Sequence, residues 1–392
     1  MKILMVHPHD LFSPMEPWTI RIVKFAEELA VKGHEVMIAY FPMTSCDESV
    51  FHGIRISPLD RTISAGSLMR NTALLCKWAK WADIVHFQKS QFYAALPAVL
   101  AAYWTGKSLH YDWDDWEEKI FYASIPRMTP TAFLTGLSFQ WLERSLPFLA
   151  DSVSVASEAL KKLALQRGAD PTKVVLAPVG ADLQQFRPDR SPGEIRKKYG
   201  IEGALLVFYH GQLHSCQYAR LFLEAIKLIS GTRNPGRLKF MIMGSGSDLG
   251  SLKTFARESG IEDKVIFTDF VPHADIPQHI AAADICVVPF DDNGVTRCKS
   301  PLKLVEYIAS GKPVVAGDVG EVRNMLDGAG LLVEPGNPGA LAKGILELAG
   351  NEPLRRTMAT AARQRAEAKY NWRCSAENLE KTYQADLRTV GQ

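Results

Sequence analysis

A chain of 392 residues exceeds the usual size of one domain, and a composition of 47% hydrophobic and 22% charged residues supplies a large core and excludes a disordered protein. The formal net charge of +2 carries no global nucleic-acid signature, so no nucleic-acid partner is expected. The six cysteines (Cys46, Cys76, Cys216, Cys286, Cys298 and Cys374) show neither a CxxC pair nor a zinc spacing, which fits a reducing compartment.

Residues 1–6 are apolar but too short for a signal sequence, and no apolar run is long enough to span a bilayer; a cytoplasmic location is expected. Strand patterns fall at 2–6, 35–39, 84–87, 109–111, 152–156 and 174–176, with helical patterns at 19–31, 67–80, 92–104, 131–149 and 157–167 between them. Gly33-His34-Glu35-Val36 reads as a helix stop followed by a strand start. Such alternation predicts a parallel sheet covered by helices on both faces. Residues 189–203 are polar with Pro and Gly, as at a boundary. A second alternation follows, with strands at 205–209, 239–243, 265–267, 285–288 and 313–315 and helices at 217–229, 249–258, 275–281, 301–310 and 340–348. The tail reads as two helices, 353–369 and 372–384.

The most telling stretch is Ser300-Pro301-Leu302-Lys303-Leu304-Val305-Glu306-Tyr307, then Gly311-Lys312-Pro313. Ser300 is a suitable N-cap, Pro301 a suitable first helical residue and Gly311 a suitable helix stop. The first turn of such a helix offers free N–H groups and the positive end of its dipole, and Lys303 adds a charge. Glu306, one turn further in, can accept hydrogen bonds from ribose hydroxyls. Phosphate at the helix tip with a carboxylate behind it describes a nucleoside-diphosphate site.

With Val265-Ile266-Phe267-Thr268-Asp269-Phe270-Val271-Pro272 and Ala282-Ala283-Asp284-Ile285-Cys286-Val287-Val288-Pro289, this stretch resembles the nucleotide-sugar-binding half of the retaining GT4 glycosyltransferases, over essentially the whole chain. The resemblance implies an α/β GT-B fold of two Rossmann-like domains, with ligands between the carboxyl ends of the two sheets. It implies an acceptor-side domain at 1–187, a nucleotide-sugar domain at 188–370, and a last helix, 371–392, returning to the first domain after the Tyr370-Asn371-Trp372 break. The substrates implied are a nucleotide-diphosphate sugar and a glycan or lipid-linked hydroxyl acceptor; no metal or further cofactor is expected.

Site residues follow residue by residue. The turn Met243-Gly244-Ser245-Gly246-Ser247 is expected to let a ligand approach the backbone, although Leu249 stands where a dinucleotide fingerprint needs glycine. By resemblance Gly244, Gly246, Val271, Ser300, Pro301, Leu302, Lys303, Leu304 and Glu306 border the nucleotide; His273 is read as a loop residue. There are departures. The family's first acid, with seven residues between it and Glu306, falls at Cys298, the position that touches the donor sugar by resemblance; either Asp291, Asp292 or a backbone group substitutes there, or the donor differs. The family's two pyrophosphate cations become Gln212 and Gln217, so Arg297 and Lys303, with Lys299 nearby, are expected to hold the diphosphate and stabilise the leaving group.

In the first half, Ser13-Pro14-Met15-Glu16-Pro17-Trp18-Thr19-Ile20-Arg21 replaces the family's Gly-Gly turn. Thr19 is a candidate cap, Arg21 a candidate phosphate ligand, and Trp18 either stacks on a sugar or covers the core. His110-Tyr111-Asp112-Trp113-Asp114-Asp115 ends a strand, where doubly wound sheets present functional side chains. Asp114-Asp115 aligns with the family's His-Asp pair, so Asp114 is a catalytic candidate and Asp112 and Asp115 substrate candidates. Asp112-Trp113-Asp114 also imitates a metal-binding DxD, but no metal is preferred. Leu68, Leu75 and Trp78 with Arg70, Lys77 and Lys80, and the apolar stretch 121–141, suggest either packing on the sheet or a peripheral membrane surface at the inner face. Two rivals stand beside a transferase: a GT-B epimerase or phosphorylase, and an inactive sugar-nucleotide-binding scaffold.

Overall fold

The computed structural model describes all residues except 14–16, 45–47, 126, 215–217, 233–236 and 391–392, and the side chains of 17 and 388–390. Two compact units emerge. The first comprises Met1–Val179, Cys298–Ser300 and Trp372–Gln392, the second Gly180–Arg297 and Pro301–Asn371.

Among the described residues the first unit holds eight strands: β1 Lys2–His7, β2 Glu35–Tyr40, β3 Val50–Phe51, β4 Ile54–Pro58, β5 Ile84–Gln88, β6 Ser108–Trp113, β7 Ser152–Val155 and β8 Val174–Leu176. They lie in the order β3-β4-β2-β1-β5-β6-β7-β8, and only the edge strand β3 is antiparallel. The central strands β1, β5 and β6 are buried nearly end to end, as strands covered on both faces must be. That is why they read as apolar runs rather than as alternation. The helices end where the sequence stops them: Ile20–Val31 before Gly33 at φ 86°, and Phe92–Thr105 at Gly106 in the left-handed region. The helix Pro130–Leu149 starts at Thr129, whose hydroxyl accepts the N–H of Ala132.

The last helix, Trp372–Val390, packs within this unit. Trp372 meets Phe25 edge-on, Ser375 donates to the Pro178 carbonyl, and the Tyr383 hydroxyl lies 2.6 Å from His86 Nδ1. His86 stacks on His110 in the interior, ring centres 5.1 Å apart. Burial drives the His86 pKa down to about 4 and that of His110 well below its ordinary value, so the pair is neutral.

The second unit holds β9 Leu205–His210, β10 Leu238–Met243, β11 Val265–Phe267, β12 Ile285–Val288, β13 Val314–Gly317 and β14 Gly330–Val333, in the all-parallel order β11-β10-β9-β12-β13-β14. Sequence periodicity passes over β3, β4 and β14. β3 is a two-residue edge strand, β4 beside it has only two of its five residues buried, and β14 is half-buried throughout, so none shows a long apolar run.

Candidate functional site

In the second unit the carboxyl end of β9 meets the helix Leu302–Ala309. This helix begins one residue later than expected. Pro301 occupies the cap position and makes no side-chain cap bond. Ser300 is not the cap, because its hydroxyl accepts the Val179 N–H at 3.1 Å within the first unit. The first turn of the helix is therefore left without a side-chain cap. Beyond it, the Lys312 N–H bonds the Tyr307 carbonyl and Gly311 takes φ 62°.

Lys303 lies over the ring of Tyr209, 4.4 Å from its centre, with Nζ 3.3 Å from the Tyr209 hydroxyl. A Cβ at Gly211 would come within 2.5 Å of that Nζ, which places the ammonium on the backbone just past β9. Leu304 is fully buried and anchors the helix; Pro301 is buried, and Leu302 and Val271 are half-buried.

Glu306 is 1% exposed and lies between two imidazoles. Its Oε1 is 2.8 Å from His273 Nε2 and its Oε2 is 3.2 Å from His210 Nε2. Burial alone would raise this carboxyl, but the two histidines hold it below its ordinary value. Burial keeps the His210 pKa low against the pull of Glu306. The His210 N–H donates to the Tyr307 hydroxyl at 3.0 Å, which ties β9 to the same helix. Sequence reasoning read His273 as a loop residue and passed over His210. Spacing cannot reveal a partnership spanning 33 residues, and His210 is simply the last residue of a strand.

The glycine turn has a different cause from the one expected. A Cβ at Gly244 would sit 1.9 Å from the Gly211 carbonyl oxygen, and one at Gly246 2.2 Å from that of Leu213. The Gly211 N–H bonds the Met243 carbonyl, the Leu213 N–H that of Ser245, and the Asp248 N–H that of Leu213. These glycines admit the neighbouring loop of the same sheet, and that approach accounts for them without a ligand. A depression of about 350 Å³ beside the turn is lined by Leu213, Asp248 and residues of the helices Tyr218–Ser230 and Leu249–Glu258, away from Glu306 and Lys303.

Other expected donor-site residues lie differently. Arg297 is exposed and makes a bidentate pair with Asp292, at 2.5 and 2.9 Å. Cys298 is 3% exposed and packs into the apolar core of the first unit, while its carbonyl accepts the Ser157 hydroxyl at 2.7 Å. A side chain so placed presents nothing to a sugar. Gln212 is exposed, and Gln217 lies outside the described residues.

The first unit gathers a polar cluster at the carboxyl ends of β1, β5 and β6. Arg21 is not available for phosphate. It is 4% exposed and grips Asp112, itself 0% exposed, through Nε at 2.8 Å and Nη2 at 2.7 Å. The Ser154 hydroxyl donates to the same carboxylate at 2.5 Å. Burial would raise Asp112, but Arg21 holds it down at about 2. Asp112 is thus committed to this pair and is not offered to a substrate.

Asp114 is 12% exposed. Its Oδ2 accepts Gln88 Nε2 at 3.0 Å, and Gln88 in turn lies 2.8 Å from His7 Nδ1. Its Oδ1 lies 3.1 Å from Lys89 Nζ, which also reaches Glu117 Oε1 at 2.6 Å. Lys89 went unmarked in the sequence. It is 3% exposed and has φ 68°, an unusual backbone for a lysine. Burial opposes its charge, yet Asp114, Glu117 and Asp115 keep its ammonium firmly protonated. Burial raises Asp114 against the pull of Lys89. Asp115 is half-buried, and its carbonyl accepts the Glu117 N–H. Among the described residues no cluster of three His, Cys, Asp or Glu side chains has metal-binding geometry.

Thr19 makes no side-chain cap, and Trp18 does not cover the core: it is 44% exposed, with its ring 5.1 Å from that of His9. On the helix Ala65–Ala79, Leu75 is buried while Leu68 and Trp78 are half-buried, so the anticipated stripe is largely the inward face. No helix among the described residues is long and apolar enough to cross a membrane.

The α/β architecture matches known GT-B glycosyltransferase folds. A glycosyltransferase from Rickettsia africae superposes with a TM-score of 0.77 at 18% identity, over 99% of this chain and 98% of the other. Anabaena Alr3699/HepE in complex with UDP gives 0.76 at 19% identity, over 98% and 100%. Residues 204–351 match the family model described as Glycosyl transferases group 1. D-inositol 3-phosphate glycosyltransferase of Geodermatophilus obscurus is 29% identical over 244 residues, which cover 59% of this chain and 52% of that protein. The match therefore spans about half the length of that curated relative.

Proposed function

We propose that this protein is a retaining glycosyltransferase that moves a sugar from a nucleotide-diphosphate donor to a hydroxyl acceptor in the synthesis of a cell-surface polysaccharide or glycolipid. The observation that carries this reading is the helix Leu302–Ala309. It joins an uncapped first turn, the Lys303 ammonium and the buried Glu306 carboxylate within two helical turns, inside the segment that matches the group 1 family. The first-turn N–H groups and Lys303 suit a diphosphate whose charge grows as the glycosidic bond breaks. Glu306 suits the ribose hydroxyls. The leaving phosphate then helps to deprotonate the incoming hydroxyl on the same face, and the protein's part is positioning and charge stabilisation. Asp114, the least committed carboxylate of the DxD-like run, is assigned to a sugar hydroxyl of acceptor or donor. Neither assignment calls for a metal or a further cofactor.

The acceptor side is read from the helix Pro130–Leu149. Phe133, Leu134, Leu137, Trp141 and Phe148 are 40–70% exposed on it. Between residues 119 and 149 the exposed charges are Lys119, Arg127 and Arg144, and the one carboxylate, Glu143, is buried. An apolar, cationic face of this kind suits the inner leaflet of a membrane and a lipid-linked acceptor. Liposome co-sedimentation with anionic lipid at low salt is expected to retain the protein; no retention removes the membrane part alone.

One observation favours a second reading. The family's acid position is filled by the core residue Cys298, as in a protein that binds sugar nucleotides without turning them over. A donor-hydrolysis assay with a panel of sugar nucleotides decides between them. Turnover that falls at least tenfold in Glu306→Ala supports the transferase. Tight nucleotide binding with no turnover on any donor establishes the scaffold.

A further inference from the structure

We infer that His273, with His210 behind it, is a positioning residue of the donor site, holding the Glu306 carboxylate so that its remaining lone pairs face the two ribose hydroxyls. The inference rests on the reading of Glu306 as the ribose ligand and names the groups that would make it one.

A carboxylate has about four lone-pair sites, two on each oxygen. His273 Nε2 takes one on Oε1, and His210 Nε2 faces Oε2. At least one site on each oxygen remains, and a pair of vicinal hydroxyls requires one on each. His273 Nε2 is hydrogen-bonded to Oε1, which requires the tautomer that donates there, while His210 Nε2 stands 3.2 Å from Oε2 outside hydrogen-bond geometry. Without them, Glu306 would be a 1%-exposed carboxylate whose burial favours the protonated acid, a poor acceptor for two hydroxyls.

The two histidines are placed by different devices. His210 ends β9, is 7% exposed, and is fixed by its N–H bond to the Tyr307 hydroxyl and by the edge of the Tyr307 ring. His273 opens the short turn His273–Asp275, with its ring 5.9 Å from that of Phe186 and its side chain 43% exposed. The charged groups around Glu306 are these two imidazoles and, from the same helix, Lys303, which acts on His210. His273 is therefore the part of the clamp that can be removed without opening the core.

The test measures binding of uridine and guanosine diphosphates and of their 2′,3′-dideoxy analogues by calorimetry to the full chain. Wild type is expected to prefer the ribose form of whichever diphosphate binds by about 10- to 100-fold, the worth of hydrogen bonds to a charged acceptor. His273→Ala should cut that preference about five- to tenfold while leaving affinity for the dideoxy form unchanged. His273→Gln, whose amide can still donate, should restore part of it. A merely structural role would weaken both forms alike. If wild type discriminates and His273→Ala discriminates equally well, the clamp is wrong and the ribose reading of Glu306 stands. If wild type does not discriminate, or binds neither diphosphate, the ribose reading falls and the clamp falls with it.

Discussion

Replacing Lys89 by glycine sets two opposed effects against each other. At φ 68° a side chain costs about 1–2 kcal/mol, which glycine relieves, less about 0.5–1 kcal/mol for the greater freedom of the unfolded chain. Against this, the ammonium is 3% exposed and lies 2.6 Å from Glu117 and 3.1 Å from Asp114, which are themselves 13% and 12% exposed. Removing one partner of a buried pair costs about 3–5 kcal/mol, because the remaining charge is stranded. The electrostatic effect wins, and Lys89→Gly should destabilise the first unit by about 2–4 kcal/mol. Lys89→Met keeps the backbone strain and loses the charge, so it should fall within about 1 kcal/mol of the glycine variant. Adding Asp114→Asn to Lys89→Gly should return part of the loss, since the two residues are in contact. Urea unfolding followed by tryptophan fluorescence at pH 7 reads all three, with Trp113 and Trp116 in the same region. Wild-type stability or better in Lys89→Gly would refute the reasoning and show that the pair contributes nothing.

Two further outcomes are expected. His86 is held neutral with its pKa depressed to about 4, so the unfolded state binds more protons between pH 6.5 and 4. The stability it contributes is present above pH 6.5 and is lost as pH falls, by roughly 3 kcal/mol at pH 4; His86→Gln should flatten urea midpoints measured between pH 7 and 4, and parallel profiles would contradict this. Gly244→Ala should disrupt the second unit by about 3 kcal/mol or more, since a Cβ there meets the Gly211 carbonyl at 1.9 Å. Gly250→Ala, with nothing within 4 Å in the helix Leu249–Glu258, should gain about 0.5–1 kcal/mol, and thermal melts compare the pair.

Elements with long buried runs were legible. The strands at 174–176, 265–267 and 285–288 and the helix at 249–258 were read with the bounds the structure shows, and most other elements differ by a residue or two at their ends. Periodicity reports burial, and burial is strongest at the middle of a sheet. The helix Glu117–Ser124 was missed because its N-terminus is satisfied from a distance. Glu143, a residue of another helix, accepts the N–H groups of Glu117 and Glu118 at 2.9 and 3.2 Å, so no local cap announces it. The site was legible only in its contiguous part. Lys303 and Glu306 share a helix and could be placed by counting. Their companions His210, His273 and Tyr209 come from other elements, and Arg21 and Asp112 are 91 positions apart. Charge pairing of that kind leaves no local pattern. Arg21 and Cys298 were therefore assigned to ligands, whereas the fold uses one in a buried ion pair and the other in a core.

The helix Trp372–Val390 has a consequence for how the protein is made. The second unit is an insertion within the first, whose sheet is complete in sequence by Leu176 but is covered by a helix nearly two hundred residues later. On a ribosome, the second unit has all its residues once Asn371 has emerged. The first must wait for its last helix with His86 and Phe25 uncovered. The earlier half of the chain is therefore the later to finish. A chain terminated before Trp372 should lose its N-terminal half to proteolysis while the later-encoded half survives, a reversal of the order of synthesis.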